Sequence, residues 1–411
     1  MTGTVLVARL DNAGDVLLAG PAIRAVAAGA REVVLLAGPR GRPAGELLPG
    51  VSRVLEWRAP WIDPTAPPAT GPHVLRLLRT IRDTAPEQAL ILTSFQQSPL
   101  PLALILRLAG TPSIAAISTD DPGSLLDVRH VVDEDVDVPE SERMLGLARA
   151  AGFELPPGDP GDLAVRHPLP EVGHLTGPRG YVVVHPGASI PARAWPAESW
   201  ARAVRDLVRS GRRVVVTGGR EECGLTARIA AGAGLHGLSP GSVFAGDWMG
   251  GGLAGLRGWR LDESAFTAGW VDGTCAATSG RSWNDPPAPY DGRPGVQVGR
   301  AVVDLGGRTT FPELAAVLAG ACAMVVADTG PAHLAAAVGT PVVSLFAPLA
   351  PVGRWAPYGV PVVILGDQQA PCRVTPAGTC AVAGHPCLSS VPGTWVVEAV
   401  DRLTSMKEAV T

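Results

Sequence analysis

The chain has 411 residues, a formal net charge of −4 and an isoelectric point of about 6.1. That balance excludes nucleic acid as the main partner and gives no drive towards an anionic membrane beyond peripheral contact. Apolar residues make up 46%, ample for large cores, and the length favours two domains over one. Six cysteines are too few for a disulfide scaffold.

The start, Thr4–Leu10, reads as a buried strand with no basic lead, so the expectation is a soluble cytoplasmic protein. It runs into Asp11-Asn12-Ala13-Gly14-Asp15-Val16, a loop that opens a helix expected over Val16–Ala28. Gly14 permits close approach of backbone. Asp15 has the ordinary role of an N-cap open to it, or that of a general base if it faces a second domain across a cleft. Further strands are expected at Val33–Leu36, Val54–Trp57, Ala89–Thr93 and Ser113–Ile117, and helices at Val74–Thr84, Leu100–Leu108 and Glu140–Ala151. The segment Leu100–Leu108 is too short to span a bilayer. Clustered acids at Asp133–Asp137 resemble a metal motif, but they precede Pro139-Glu140, where they suit a solvated helix lead-in.

Strand–helix alternation implies a parallel, doubly wound sheet. Loop clusters at residues 156–161 and 177–180 bracket a domain boundary near residues 165–178. The first domain is placed at residues 1–170 and the second at 178–395. Alternation resumes at Tyr181–Val184, which enters His185-Pro186-Gly187-Ala188-Ser189. Val214–Val216 enters Thr217-Gly218-Gly219-Arg220-Glu221-Glu222 in the same manner. The run Ala323–Val326 leads through Asp328-Thr329-Gly330-Pro331-Ala332-His333 into helix-forming residues, with Thr329 or Gly330 as cap and Pro331 suited to the first turn. A strand, a polar loop and a helix start place free N–H groups and a positive dipole end at one spot. Each loop alone is compatible with a tight turn. Together, beyond the carboxyl ends of parallel strands, the three outline a site for a phosphate-bearing ligand. Arg193, just past the Gly187–Ser189 loop, is placed to neutralise a leaving phosphate. Glu221 or Glu222 can take ribose hydroxyls or cap the next helix.

Residues 233–300 interrupt this pattern. They hold Trp248, Trp259, Trp270 and Trp283 and have no sustained period, which suits a lid, a folded excursion near the cleft, or a surface decoration. Gly250–Gly255 fits a dinucleotide fingerprint in letters only, since no strand precedes it. Cys372, Cys380, His385 and Cys387 lie close in sequence but lack a Cys-x-x-Cys pair, so packed thiols are favoured over zinc. Cys223, Cys275 and Cys322 are scattered.

These segments together resemble glycosyltransferase family 9, whose best-known members are ADP-heptose-dependent heptosyltransferases. The resemblance rests on GDVLLAGPAIRAV (14–26), VVVHPGASIPARAWP (182–196), VVVTGGREE (214–222), DLGGRTTFPELAAVLAGA (304–321), VVADTGPAHLAAAVGTPVVSLFAP (325–348) and HPCL (385–388). It implies an α/β GT-B fold: two facing Rossmann-like domains with parallel sheets, a cleft between them, and a C-terminal helix, residues 396–411, packing back on the first domain. It implies an inverting transfer of a sugar, heptose from ADP-heptose, with no cofactor and no metal. Asp15 would be the general base, with Asn12 and Gly14 in the acceptor-side loop. Arg193 falls where the family usually has a Lys on the donor phosphates. Gly187, Ala188 and Ser189 would line those phosphates, Gly219 with Glu221 or Glu222 would hold the ribose, and Thr309 would sit near the adenine. Asp328, Thr329, Gly330 and His333 would grip the diphosphate and donor sugar. The family joins the GGREE strand to the GGRTT segment by a short stretch, where this chain carries residues 233–300. The acidic balance points to a glycan, glycolipid or small natural product as acceptor rather than phosphorylated lipopolysaccharide. A nucleotide-sugar epimerase of the same fold and a non-catalytic nucleotide-binding relative are the alternatives.

Overall fold

The computed structural model describes residues 2–408 except Pro64, Gln96, Glu134, residues 234–295, 299–300 and 374–377, and Ala381. The expectations for Trp248, Trp259, Trp270, Trp283, Cys275 and Gly250–Gly255 therefore lie outside the described residues.

Two sheets divide the chain. The first comprises β1 (Thr2–Arg9), β2 (Ala30–Ala37), β3 (Arg53–Glu56), β4 (Gln88–Ile91), β5 (Ser113–Ile117) and β6 (Val128–His130), all parallel, in the order β3-β2-β1-β4-β5-β6. The second comprises β7 (Tyr181–His185), β8 (Val214–Val216), β9 (Val296–Val298), β10 (Val302–Asp304), β11 (Ala321–Ala327), β12 (Val342–Leu345) and β13 (Val362–Leu365). Its order is β13-β12-β11-β7-β8-β10-β9, parallel except for the edge strand β9.

Strand periodicity explains why both faces are covered. In β1, Val5 and Val7 face the core that joins the two halves, while Leu6 and Ala8 face the outer layer with Leu102 and Ile105. In β7, Tyr181 and Val183 enter the joint core, and Val182 and Val184 pack against Trp200, Val204 and Leu207 of the helix Ala197–Arg209. Each sheet winds outward in both directions from its first strand. The chain reverses between β1 and β4 in one sheet, and between β7 and β11 in the other. Those are the places where a crevice opens at the carboxyl ends of the strands.

The structure differs from the sequence reading in three places. The single helix expected over Val16–Ala28 is two, Ala13–Leu18 and Gly20–Gly29, because Pro21 cannot donate to the preceding turn and starts a new first turn instead. Among the described residues, the C-terminal helix, Gly393–Glu408, packs on the second domain rather than on the first. It packs on Ala197–Arg209 and on β11–β13, burying Val396, Val400 and Leu403 in the outer core of the second sheet. The acids before Glu140 are not all a solvated lead-in: Asp137 accepts from the buried Arg354 of the other half at 2.9 Å. Arg354 also stands 4.5 Å over the Phe95 ring, so this side chain links the domains.

Candidate active site

The first loop and the helix Gly330–Ala337 meet backbone to backbone. A Cβ placed on Gly14 would stand 2.7 Å from Gly330 Cα, closer than a real Cβ comes to backbone, and 3.0 Å from His333 Cδ2. Gly14 therefore requires glycine for contact, not for a special φ, while a Cβ on Gly330 would stand 3.2 Å from Gly14 N. Asp15 follows one residue later. Its Oδ2 accepts the Asn12 N–H at 3.2 Å, which closes the helix start, and its Oδ1 stands 3.2 Å from Nη2 of Arg9. Asn12 itself is exposed. The sequence reading passed over Arg9, although a charged residue closing an apolar strand was visible; its side chain is wholly buried.

Across the contact, Asp328 directly follows β11. Its Oδ2 lies 3.3 Å from Nε of Arg193, within ion-pair range but outside hydrogen-bond alignment. Burial raises the Asp328 carboxyl to about 6, with Arg193 opposing and Asp15 adding to the rise. Asp328 thus senses the charge of Asp15 from the opposite domain. His333 is buried and pushed down to about 4 by desolvation, so it is neutral at physiological pH. Among the described residues, no side chain caps the helix Gly330–Ala337; Pro331 occupies its first turn. Asp328 Oδ2, Arg193 Nε, His333 Nδ1 and Thr309 Oγ1 are all buried without a hydrogen-bond partner. Such orphaned polar atoms gathered at strand ends mark where a polar ligand belongs.

The adjacent loops complete one wall. A Cβ on Gly187 would fall 1.8 Å from Glu222 Oε1, so the Glu222 carboxylate lies directly over that loop. Glu222 also accepts the Gly219 N–H at 2.7 Å and stands 3.7 Å from His185 Nε2. His185 binds Thr217 Oγ1 through Nδ1 at 3.0 Å; burial lowers its pKa, with Glu222 opposing. Of the two glutamates, Glu222 faces the site and Glu221 is exposed. Ala188 is half-buried and Ser189 exposed, and Thr329 and Gly330 are half-buried at the helix start. Thr309 lies past the end of β10, beyond the loop that Gly307 N–H ties to Gly218 O at 2.8 Å.

Away from the cleft, Cys372 and Cys387 are buried in the outer core, and burial, with Cys372 and Cys380 nearby, pushes the Cys387 thiol up to about 12. Among the described residues no group of three or more His, Cys, Asp or Glu side chains is arranged to hold a metal ion. No described helix is long and apolar enough to cross a membrane.

The family model for glycosyltransferase family 9 (heptosyltransferase) matches residues 74–239 and 295–381. The chain belongs to this family. The matched stretches include β7, β8 and β11 with their loops, whereas the first loop with Asp15 lies before them. Lipopolysaccharide heptosyltransferase 3 of Escherichia coli is 36% identical over 104 residues, a stretch that spans 25% of this chain and 29% of that protein. The solved E. coli ADP-heptose lps heptosyltransferase II has 17% identity and a TM-score of 0.65, with 98% of this chain and 99% of that one covered. A family 9 glycosyl transferase from Veillonella parvula gives 13% identity and a TM-score of 0.66 over 98% and 97%. At these identities the likeness establishes the fold, which is GT-B.

Proposed function

We propose that this family 9 member transfers a sugar from a nucleotide-activated donor, ADP-heptose, to a hydroxyl of a glycan, glycolipid or small natural-product acceptor in the cytoplasm. The donor assignment draws on the E. coli heptosyltransferase WaaC, whose structures carry ADP and ADP-2-deoxy-2-fluoro heptose. One observation carries the reading: Asp15 from one domain and the Asp328–Arg193 pair from the other converge where Gly14 touches Gly330.

In the proposed step the Asp15 carboxylate takes the proton of the acceptor hydroxyl. The oxygen attacks the anomeric carbon from the face opposite the diphosphate, the glycosidic bond forms, and the anomeric C–O bond to phosphate breaks with inversion. ADP leaves towards the uncapped start of the helix Gly330–Ala337. The peptide N–H groups there, the helix dipole and the Arg193 guanidinium stabilise its developing charge. In this scheme those groups do the work of a metal ion, and no cofactor takes part. Gly187, Ala188 and Ser189 let the loop backbone approach the phosphates, Glu222 with Gly219 takes the ribose, and Thr309 takes the base. Asp328, Thr329 and His333 hold the donor sugar and diphosphate.

The test is calorimetry with ADP, UDP, GDP and dTDP in metal-free buffer and again with magnesium, followed by ADP release from ADP-heptose. Selective ADP binding without metal is expected. Asp15→Asn should keep that binding and lose turnover by about 10²–10⁴-fold. Full turnover in Asp15→Asn would remove Asp15 as the base, and selective binding of another nucleotide would move the donor.

A further inference from the structure

We propose that Arg9 is a positioning residue for this reaction: its buried guanidinium fixes the Asp15 carboxylate in the cleft, with Asp11 competing for the same guanidinium. The proposal rests on Asp15 being the base.

The geometry is that of a bracket between two strands. Arg9 ends β1 and has no solvent exposure. From there Nη1 donates to Leu92 O at 3.3 Å and Nη2 to Ser94 Oγ at 2.6 Å, both just beyond the end of β4. Those bonds cross the point where the first sheet reverses direction. They leave Nη2 at 3.2 Å from Asp15 Oδ1 and Nε at 3.3 Å from Asp11 Oδ2. Gln97 Nε2 holds the other oxygen of Asp11 at 2.6 Å. Asp15 is therefore held on both oxygens, by Arg9 on one and by the Asn12 N–H on the other. A carboxylate gripped this way has little freedom to turn from an incoming hydroxyl.

The charges around Asp15 make Arg9 decisive. On its own segment stands Asp11, with Arg40 acting on Asp11 from the loop after β2. The helix Glu140–Ala150 brings Glu140, wholly buried, and Arg143, whose Nη1 lies 3.7 Å from Glu140 and donates to Thr93 O at 2.7 Å. Arg354 acts on Glu140 from the second domain, which also contributes Asp328 with Arg193 and the neutral His333. Three carboxylates thus crowd Asp15, and Arg9 stands in ion-pair range of it. Burial pushes Asp11 and Glu140 upward, the direction expected of acids sharing too little positive charge. A buried arginine that touches two aspartates and no bulk water contributes little to stability compared with an apolar side chain of equal size. Its place is explained by the charge it controls.

The experiment separates positioning from binding. With ADP-heptose, kcat should fall in Arg9→Met by about tenfold or more while KM for the donor stays within about twofold, and Arg9→Lys should restore most of the lost kcat. A folded Arg9→Met with the parent's kcat overturns the proposal, as does a Lys variant indistinguishable from Met. If Arg9→Met does not fold, Ser94→Ala decides: it removes the hydroxyl that anchors Nη2 and should lower kcat with the donor KM unchanged, and an unchanged kcat overturns the proposal. Full turnover in Asp15→Asn would sink the base assignment by itself, whereas a parent-like kcat in the Arg9 variant sinks only the positioning role.

Discussion

Gly14→Ala isolates the contact on which the whole site depends. The new methyl would stand 2.7 Å from Gly330 Cα and 3.0 Å from His333 Cδ2. An ordinary carbon–carbon contact begins near 3.5 Å, so one segment must retreat by about 0.8 Å. Both opposing groups resist. Gly330 is main chain at a helix start, and His333 is buried behind it. Overpacking of this kind costs about 1–3 kcal/mol, which lowers the melting temperature by a few degrees in a domain of this size. The functional effect should be larger than the stability effect suggests. Asp15 follows Gly14 directly, so the retreat shifts the base relative to the Asp328–Arg193 pair. A displacement near 1 Å at a reacting centre costs about 10²-fold in rate. ADP affinity should fall by less than turnover, because the loops at Gly187 and Gly219 and the end of β11 are untouched and only the helix start at Gly330 is pressed. The assays are calorimetry with ADP, turnover of ADP-heptose, and thermal unfolding. An Ala variant with unchanged melting temperature and full turnover would refute the claim that the domains meet through these two glycines.

Glu222→Ala should raise KM for the donor several-fold while Glu221→Ala leaves it unchanged, because only Glu222 lies over the Gly187 loop; equal effects would contradict that placement. Asp328 titrates near 6 when folded and in the ordinary carboxylate range when unfolded. Between those values the folded chain holds a proton the unfolded chain has lost, so stability falls as pH rises through the window. Above pH 6 the full cost, about 3 kcal/mol at 1.4 per unit, is present. Asp328→Asn should therefore unfold at higher temperature than the parent at pH 7.5 and at the same temperature at pH 3.5, as followed by thermal melts; no gain at pH 7.5 would show the carboxylate is not strained there. Arg354→Ala removes the ion pair to Asp137 and the face contact with Phe95, about 1–2 kcal/mol for the desolvated guanidinium. Small-angle scattering should report a larger radius for that variant, and an unaltered profile would place the domain link elsewhere.

The strands that carry the site were legible because they are short apolar runs ending in Gly and polar residues: β7, β8 and β11 fall within a residue or two of their expected positions. Asp15, Asp328 and Glu222 followed from standing just past such ends. What the sequence did not show was long-range. Nothing near Arg354 says that it reaches Asp137, 217 positions earlier. The carboxyl-terminal helix was expected on the first domain by likeness to a family, yet its own Val396, Val400 and Leu403 are spaced for any apolar face and do not name which one. Arg9 and Glu140 were passed over for a different reason. A charge beside an apolar strand reads as an edge residue, and an acid after proline reads as a helix start. Only the fold shows that both are buried against each other's neighbours.

The two domains solve the same problem with the same parts. Each places an arginine and an aspartate near the carboxyl end of a strand at which its sheet reverses: Arg9 with Asp15 in one, Arg193 with Asp328 in the other. Neither pair is a good stabiliser. Arg9 is wholly buried, and Asp328 is driven to about 6 by its surroundings. Fold stability alone would favour apolar residues at both positions. The pairs make sense only when the domains face each other, because then one carboxylate is held in place towards an acceptor while the other guanidinium stands ready for a leaving diphosphate. The Gly14–Gly330 contact brings them together, and there a single added methyl group forces the two domains apart.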